Sequence, residues 1–436
     1  MSVFLSILIM ILMLSVLTIV HEWGHYICAR IFKVKVTEFS IFMGPKIFQR
    51  TGKKTGTKFT IRAIPLGGYC AFEDDNGDTS SPDSLYVQKW WKRAIIFAGG
   101  VTMNFILAWV LATLIVGSGF FTDTTLDRVS EDSIAYFAGI REGDSLTKFD
   151  SLDTLTGTDI NLASYGIKDM DPSDEVMSSH YTLVYDRKGT KATYDISKNI
   201  NYVKVTGEVD GKETEGLTVG DYSYRILRTE GGKTTEYYCF VKVNGISDEG
   251  DKAFCTVTKK IDGESVSEAD EEITAENYCA LGNSSYHVIN TMNPFVLLGR
   301  GFLEMISMIK SVYVSLWWII TGKVGLDGLA GPIGLTGVVS DVVSASAGVS
   351  IKVITLVNMA ALISANLGVI NALPIPGLDG SHLLFIVIEL IRGGKKIPPK
   401  YQNIISYVGL ALMILLAVIV AGSDIIKLIQ GGGGIG

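Results

Sequence analysis

Leu17-Thr-Ile-Val-His21-Glu22-Trp23-Gly24-His25-Tyr-Ile-Cys28-Ala-Arg30 sets two histidines and a glutamate inside an apolar run from Val3 to Phe32. A run of that length spans the roughly 30 Å of a bilayer core at about 1.5 Å per helical residue. Ionisable residues are costly there unless paired, so they mark function. On a helix, residues i and i+4 share a face, so His21 and His25 reach one ion with Glu22 beside it. The run lacks the basic start and small-residue cleavage site of a signal peptide and is expected to stay as a helix.

The rest of the chain supports a membrane reading. Of its 436 residues 47% are hydrophobic and 19% charged, and the apolar residues gather at both ends. Between them lies a polar stretch from Thr122 to Met292. Residues 121–280 carry 32 acidic against 17 basic residues, a balance of −15, which leaves the remainder at +8. An acidic soluble domain argues against a nucleic-acid partner, which requires a basic face; the basic remainder suits loops beside a membrane. The five cysteines form no C-x-x-C pair, so a thiolate metal site is not expected, and Cys239, Cys255 and Cys279 leave open one disulfide or none.

Further spans are expected at Ala94–Phe121, from near Ile351 through Leu367, and at Ile404–Ala421. Lys and Arg crowd the loop between the first two spans, from Lys33 to Arg93, and recur as Arg392, Lys395, Lys396 and Lys400. Both loops are therefore expected on the cytoplasmic side, with the acidic domain and both termini outside. The stretch Phe295–Ile320 carries Arg300, Glu304 and Lys310 and is expected to lie in the interface as an amphipathic helix.

Zinc takes nitrogen and oxygen donors, and a catalytic site uses three protein ligands plus water. Asp379 is the candidate third ligand: an acid in apolar surroundings after Asn366, Asn371, Pro374 and Pro376, on backbone that two prolines keep from regular helix. It is also placed to cap the following helix, which does not exclude ligation. Glu22 would take a proton from water and pass one to the leaving amine. Asp379 meets the histidines at one depth only if Phe295–Ile320 does not cross, which gives four spans.

His21-Glu-x-x-His25 and Asn371-x-x-Pro374-x-Pro376-x-x-Asp379-Gly380 together resemble the two zinc motifs of the site-2 protease family, bacterial regulator of sigma-E protease type. Pro65-Leu-Gly-Gly-Tyr69, Gly99–Asn104 and Gly331-Pro-Ile-Gly334 extend the likeness over nearly the whole chain. It implies an intramembrane zinc metalloprotease that cuts peptide bonds in or beside the membrane segment of single-span proteins or remnant signal peptides, in regulated intramembrane proteolysis. Asn366, Asn371, Pro374 and Pro376 are then expected to contact substrate, and Lys58–Tyr69 to form a membrane-associated β-loop. Two departures stand out: Phe42 of Ile41-Phe-Met-Gly-Pro45 where glycine is usual, and Ser381-His382 after Asp379-Gly380.

Val129–Asp144 resembles the start of a PDZ domain, and Lys259–Val266 another PDZ segment; one module with an insertion from about 201 to 255 is favoured over two. The expected fold is thus an α-helical polytopic membrane protein with four transmembrane helices, a β-loop and an amphipathic helix, plus an extracytoplasmic PDZ-like, mainly β domain. Its expected parts are residues 1–121, 122–292, 293–350 and 351–430. A catalytically silent scaffold that binds clients through the outer domain is the alternative.

Overall fold

The computed structural model describes residues 2–73, 81–131, 133–166, 176–201, 203–204, 207–209, 212–214, 218–219, 221–246, 252–274, 284–288, 291, 293–323 and 332–429. They fall into two compact units, residues 1–118 with 291–436, and residues 119–290.

In chain order the first unit supplies α1 (Ser2–Ile31), β1 (Val36–Thr51), β2 (Lys58–Phe72) and α2 (Trp90–Gly117). The second supplies β3 (Thr122–Val129), α3 (Ile134–Phe137), β4 (Ser145–Phe149), β5 (Leu152–Asp153), α4 (Gly157–Gly166), β6 (Val176–Arg187) and β7 (Thr190–Asn201). It continues through β8 (Val203–Lys204), β9 (Gly207–Val209), β10 (Lys212–Thr214), β11 (Thr218–Val219) and β12 (Tyr222–Glu230). It ends with β13 (Lys233–Ile246), β14 (Lys252–Ile261), β15 (Glu264–Thr274) and β16 (Ser284–Val288). The first unit resumes with α5 (Pro294–Ile320), α6 (Pro332–Ser344), α7 (Val349–Ala372), α8 (Asp379–Ile391) and α9 (Pro399–Ile429).

Five helices among the described residues are long and apolar enough to cross a membrane: α1, α2, α5, α7 and α9. Four of them match the expected spans. The fifth, α5, is the helix that the sequence reading assigns to the interface. Its charges do not all meet lipid: Glu304 is buried, and Met305 and Met308 share a cluster with Ala108 and Ile115 of α2 and Ala361 and Ala365 of α7. Gly301 lets α5 close on α2, since a Cβ there would lie 2.7 Å from Thr113 Cα.

The directions of these helices matter for the site. Along α5, Leu297 lies near Gly117 and Gly301 near Thr113, so α5 runs antiparallel to α2. Along α7, the Ser364 hydroxyl donates to the Asn104 carbonyl, and Asn371 reaches His21, which packs on Gly100. Both α5 and α7 therefore descend α2 in the same sense. Between them lies α6, 13 residues long, or about 20 Å of helix.

Helix α7 stops at Ala372 because Leu373 precedes a proline, which drives it out of the helical region to φ −67°, ψ 144°. Gly377, at φ +94°, turns the chain into α8, whose first residue is Asp379. Gly380 cannot carry a side chain, because a Cβ would lie 2.0 Å from the Leu373 carbonyl oxygen.

The hairpin of β1 and β2 is curled. Phe39 pairs with both Cys70 and Phe59, and Arg50 also pairs with Phe59, so the two bent strands pass one another as four short segments. Phe42 adopts φ 67°, a left-handed conformation that suits glycine and is strained for a bulky residue. The departure from the family's glycine therefore falls where glycine is physically preferred.

The second unit is built on a ten-stranded sheet in the order β15-β14-β13-β12-β7-β6-β4-β3-β16, with β5 paired to β4, and carries two two-stranded pairs, β9–β10 and β8–β11. Its core holds Leu126, Leu146, Tyr194, Ile196, Tyr224 and Ile226. The expected alternation in 180–195 is the β6–β7 hairpin, turned by Lys188 and Gly189 at φ 51° and 92°. Within Val129–Asp144, Ser133 caps α3 by accepting from Tyr136 N–H, and Arg187 bonds the buried Asp144 carboxylate. Strands β12 to β15 extend this same sheet, and Lys259–Val266 comprises the end of β14, the turn at Asp262-Gly263 and the start of β15. Cys239 and Cys255 are free and buried, whereas Cys279 lies outside the described residues.

Candidate metal centre

Helix α1 presents His21 and His25 one turn apart, and the break before α8 brings Asp379 to them. Asp379 Oδ2 lies 3.0 Å from His21 Nε2 and 3.2 Å from His25 Nε2, and the two Nε2 atoms are 3.2 Å apart. One donor atom from each residue falls within 4.8 Å of the others. Leu378 holds the cap position of α8 and Asp379 is its first residue; Ser381 donates its hydroxyl to the Leu378 carbonyl, so it ties the helix start instead of reaching toward the histidines.

The arrangement fits a cation. His25 Nδ1 lies 2.8 Å from the Ile96 carbonyl, which only accepts, so that nitrogen carries the ring proton. Its Nε2 then holds a lone pair facing a carboxylate oxygen that also has lone pairs, and Asp379 Oδ2 is buried without a hydrogen-bond donor. Acceptors crowded in this way repel unless a positive ion stands among them. Two imidazoles and a carboxylate are a catalytic zinc set that leaves a position for water.

Helix α2 forms the floor. A Cβ on Gly100 would lie 2.4 Å from His25 Nε2 and 2.7 Å from His21 Nε2, so only glycine lets the rings sit there. Asn104, fully buried, approaches His21 Nδ1 through its amide at 3.1 Å. In the sequence Gly100 and Asn104 fall within the Gly99–Asn104 likeness with no role assigned to either, nor to the Ile96 carbonyl; an asparagine inside an apolar helix is the available signal.

Glu22 and Asp379 line a cavity of about 400 Å³, with Arg93, Phe97 and His382 and with Gln402, Asn403, Ser406 and Tyr407 of α9. Glu22 Oε2 accepts from the Cys70 backbone N–H of β2 at 3.0 Å. His382 stacks on Phe97 at 4.4 Å, and Arg93 pairs with Glu389 at 2.8 Å, both buried. Asn371 Nδ2 lies 3.5 Å from His21 Nε2. Asn366 is exposed on α7, about 140° around the helix from Asn371. Pro374 is exposed, and Pro376 is half-buried against Gly409 of α9.

The sequence profile described as peptidase family M50 matches residues 9–416. The chain belongs to peptidase family M50. Among its relatives, a Clostridium acetobutylicum protein bearing the name "putative zinc metalloprotease" is 29% identical, covering 97% of this chain and 98% of the relative. The regulator of sigma-E protease RseP of Escherichia coli K12 is 27% identical, covering 96% and 98%, and that of Salmonella typhimurium 14028s is 28% identical with the same coverage. This family is that of the site-2 proteases, so the chain is a membrane-embedded metallopeptidase with several apolar helices.

Proposed function

We propose that the chain is an intramembrane zinc metalloprotease in which His21, His25 and Asp379 hold the metal and Glu22 is the general base. The observation that carries this reading is the meeting of three ligand atoms within 4.8 Å, with His25 and Asp379 lining the same cavity as Glu22. Bound zinc would polarise the scissile carbonyl and acidify a water. Glu22, with one oxygen fixed by the Cys70 N–H, takes the water's proton on its carboxylate and returns it to the leaving amide nitrogen. Asn371, beside His21, is a donor for the developing oxyanion. Asn366 and Pro374 face outward and meet the substrate only along its path, and Pro376 holds α9 beside the cavity.

The substrate class is a single-span membrane protein, anti-sigma factors and remnant signal peptides included, cut in or beside its membrane segment in regulated intramembrane proteolysis. An extended segment would add to the β1–β2 hairpin beside Glu22. Four helices cross the bilayer: α1, α2, α7 and α9. Support comes from α5 and α7 running in the same sense along α2, with α6 returning the chain between them. The basic loops then lie in the cytoplasm with the metal site near that face, and residues 122–292 form a PDZ-like outer domain that screens substrates. Residues 1–121, 293–350 and 351–430 are the membrane-embedded parts, with both termini outside.

Glu22→Gln tests the reading with a single-span reporter in vesicles. Retained zinc with cleavage reduced by about 10²-fold or more supports it, and cleavage at the wild-type rate overturns it.

A further inference from the structure

We propose that Asn104 is a positioning residue of the metal centre: its amide oxygen accepts from His21 Nδ1–H and so aims the His21 Nε2 lone pair at the metal. This rests on reading His21, His25 and Asp379 as ligands. Asn104 lies in the apolar helix α2 with no exposed surface, where an amide is costly unless its polar atoms are used.

The atoms show what is unsatisfied. Asn104 Nδ2 faces His21 Nδ1 at 3.1 Å, while Asn104 Oδ1 is buried without a hydrogen-bond partner. In that orientation Nδ2 donates to a bare Nδ1, which moves the ring proton to Nε2, and a protonated Nε2 cannot ligate. Turning the amide over exchanges two atoms of nearly equal size. It gives Oδ1 a donor, puts the proton on Nδ1 and frees Nε2 toward Asp379, 3.0 Å away.

His25 has the equivalent support from a group that cannot turn, the Ile96 carbonyl at 2.8 Å. One helix thus fixes both imidazoles, by backbone for one and side chain for the other. The tie between α2 and α7 at this level uses the Asn104 backbone carbonyl, which accepts from the Ser364 hydroxyl at 2.8 Å. Substitution of the side chain leaves that bond in place, so a packing role and a positioning role separate.

The test measures zinc affinity of the purified full chain by competition with a chelator of known affinity, for wild type, Asn104→Leu and Asn104→Asp. Melting of the metal-free proteins is followed in parallel. Loss of an outer-shell partner weakens metal binding about 10–100-fold, and that loss is expected for Asn104→Leu. Asn104→Asp, whose carboxylate still accepts from Nδ1–H, is expected to bind zinc as wild type does or more tightly. Should Asn104→Leu fail to melt cooperatively, Asn104→Ala takes its place. Wild-type affinity in the apolar variant overturns the proposal, and so does an equal loss in the apolar and Asp variants. A wild-type chain that binds no zinc overturns the metal-centre reading itself.

Discussion

The backbone N–H of Cys70 donates to Glu22 Oε2 at 3.0 Å, so strand β2 orients the general-base candidate on α1. Hydrogen bonds to a charged acceptor contribute about 1.5–3 kcal/mol. Cys70→Pro deletes this donor and is expected to lower reporter cleavage about tenfold or more, from the low end of that range, with zinc content unchanged. Cys70→Ala keeps the donor and should cleave at the wild-type rate.

Gly100 is expected to be intolerant of a single methyl group. Its Cβ would lie within 2.7 Å of both Nε2 atoms, whereas a Cβ on Gly117 of the same helix meets nothing closer than 3.8 Å. Gly100→Ala should therefore lower zinc occupancy and cleavage together, and Gly117→Ala should change neither. Metal analysis of both purified variants checks this.

How far the site can be read from sequence depends on where each part comes from. His21 and His25 are legible because helical periodicity alone sets them on one face, with Glu22 beside them. Asp379 is legible because an acid among prolines in an apolar stretch has few other uses. Gly100, Asn104 and the Ile96 carbonyl are not, because their roles arise only when α2 packs on α1. The surroundings of α5 are not legible from charge counting for a related reason: Glu304 is buried inside the protein. In the second unit, the β6–β7 turn is legible from Lys188-Gly189, but the order of ten strands is a matter of long-range pairing that no local pattern encodes.

Arg93 and Glu389 join α2 to α8 and are each 5% exposed. Removing one partner of such a pair strands a buried charge and costs about 3–5 kcal/mol. Glu389→Leu is expected to lower the melting temperature clearly, and Arg93→Met/Glu389→Leu to recover much of the loss. Calorimetry of the purified variants reads the difference.

Burial pushes the thiols of Cys239 and Cys255 up to about 11. An acid raised in the folded state keeps its stabilising contribution below the unfolded value of about 8.5 and loses it as pH climbs through the folded value. Iodoacetamide should thus leave both residues unmodified at pH 8, and modification should rise toward pH 11 together with a falling melting temperature. Mass spectrometry resolves the two sites.

The most direct measurement is the zinc content of the purified chain beside that of Asp379→Ala. A metal held jointly by α1 and α8 predicts close to one zinc per wild-type chain and its loss in the variant, with His21 and His25 intact in both. An Asp379→Ala chain that holds as much zinc as wild type contradicts the account.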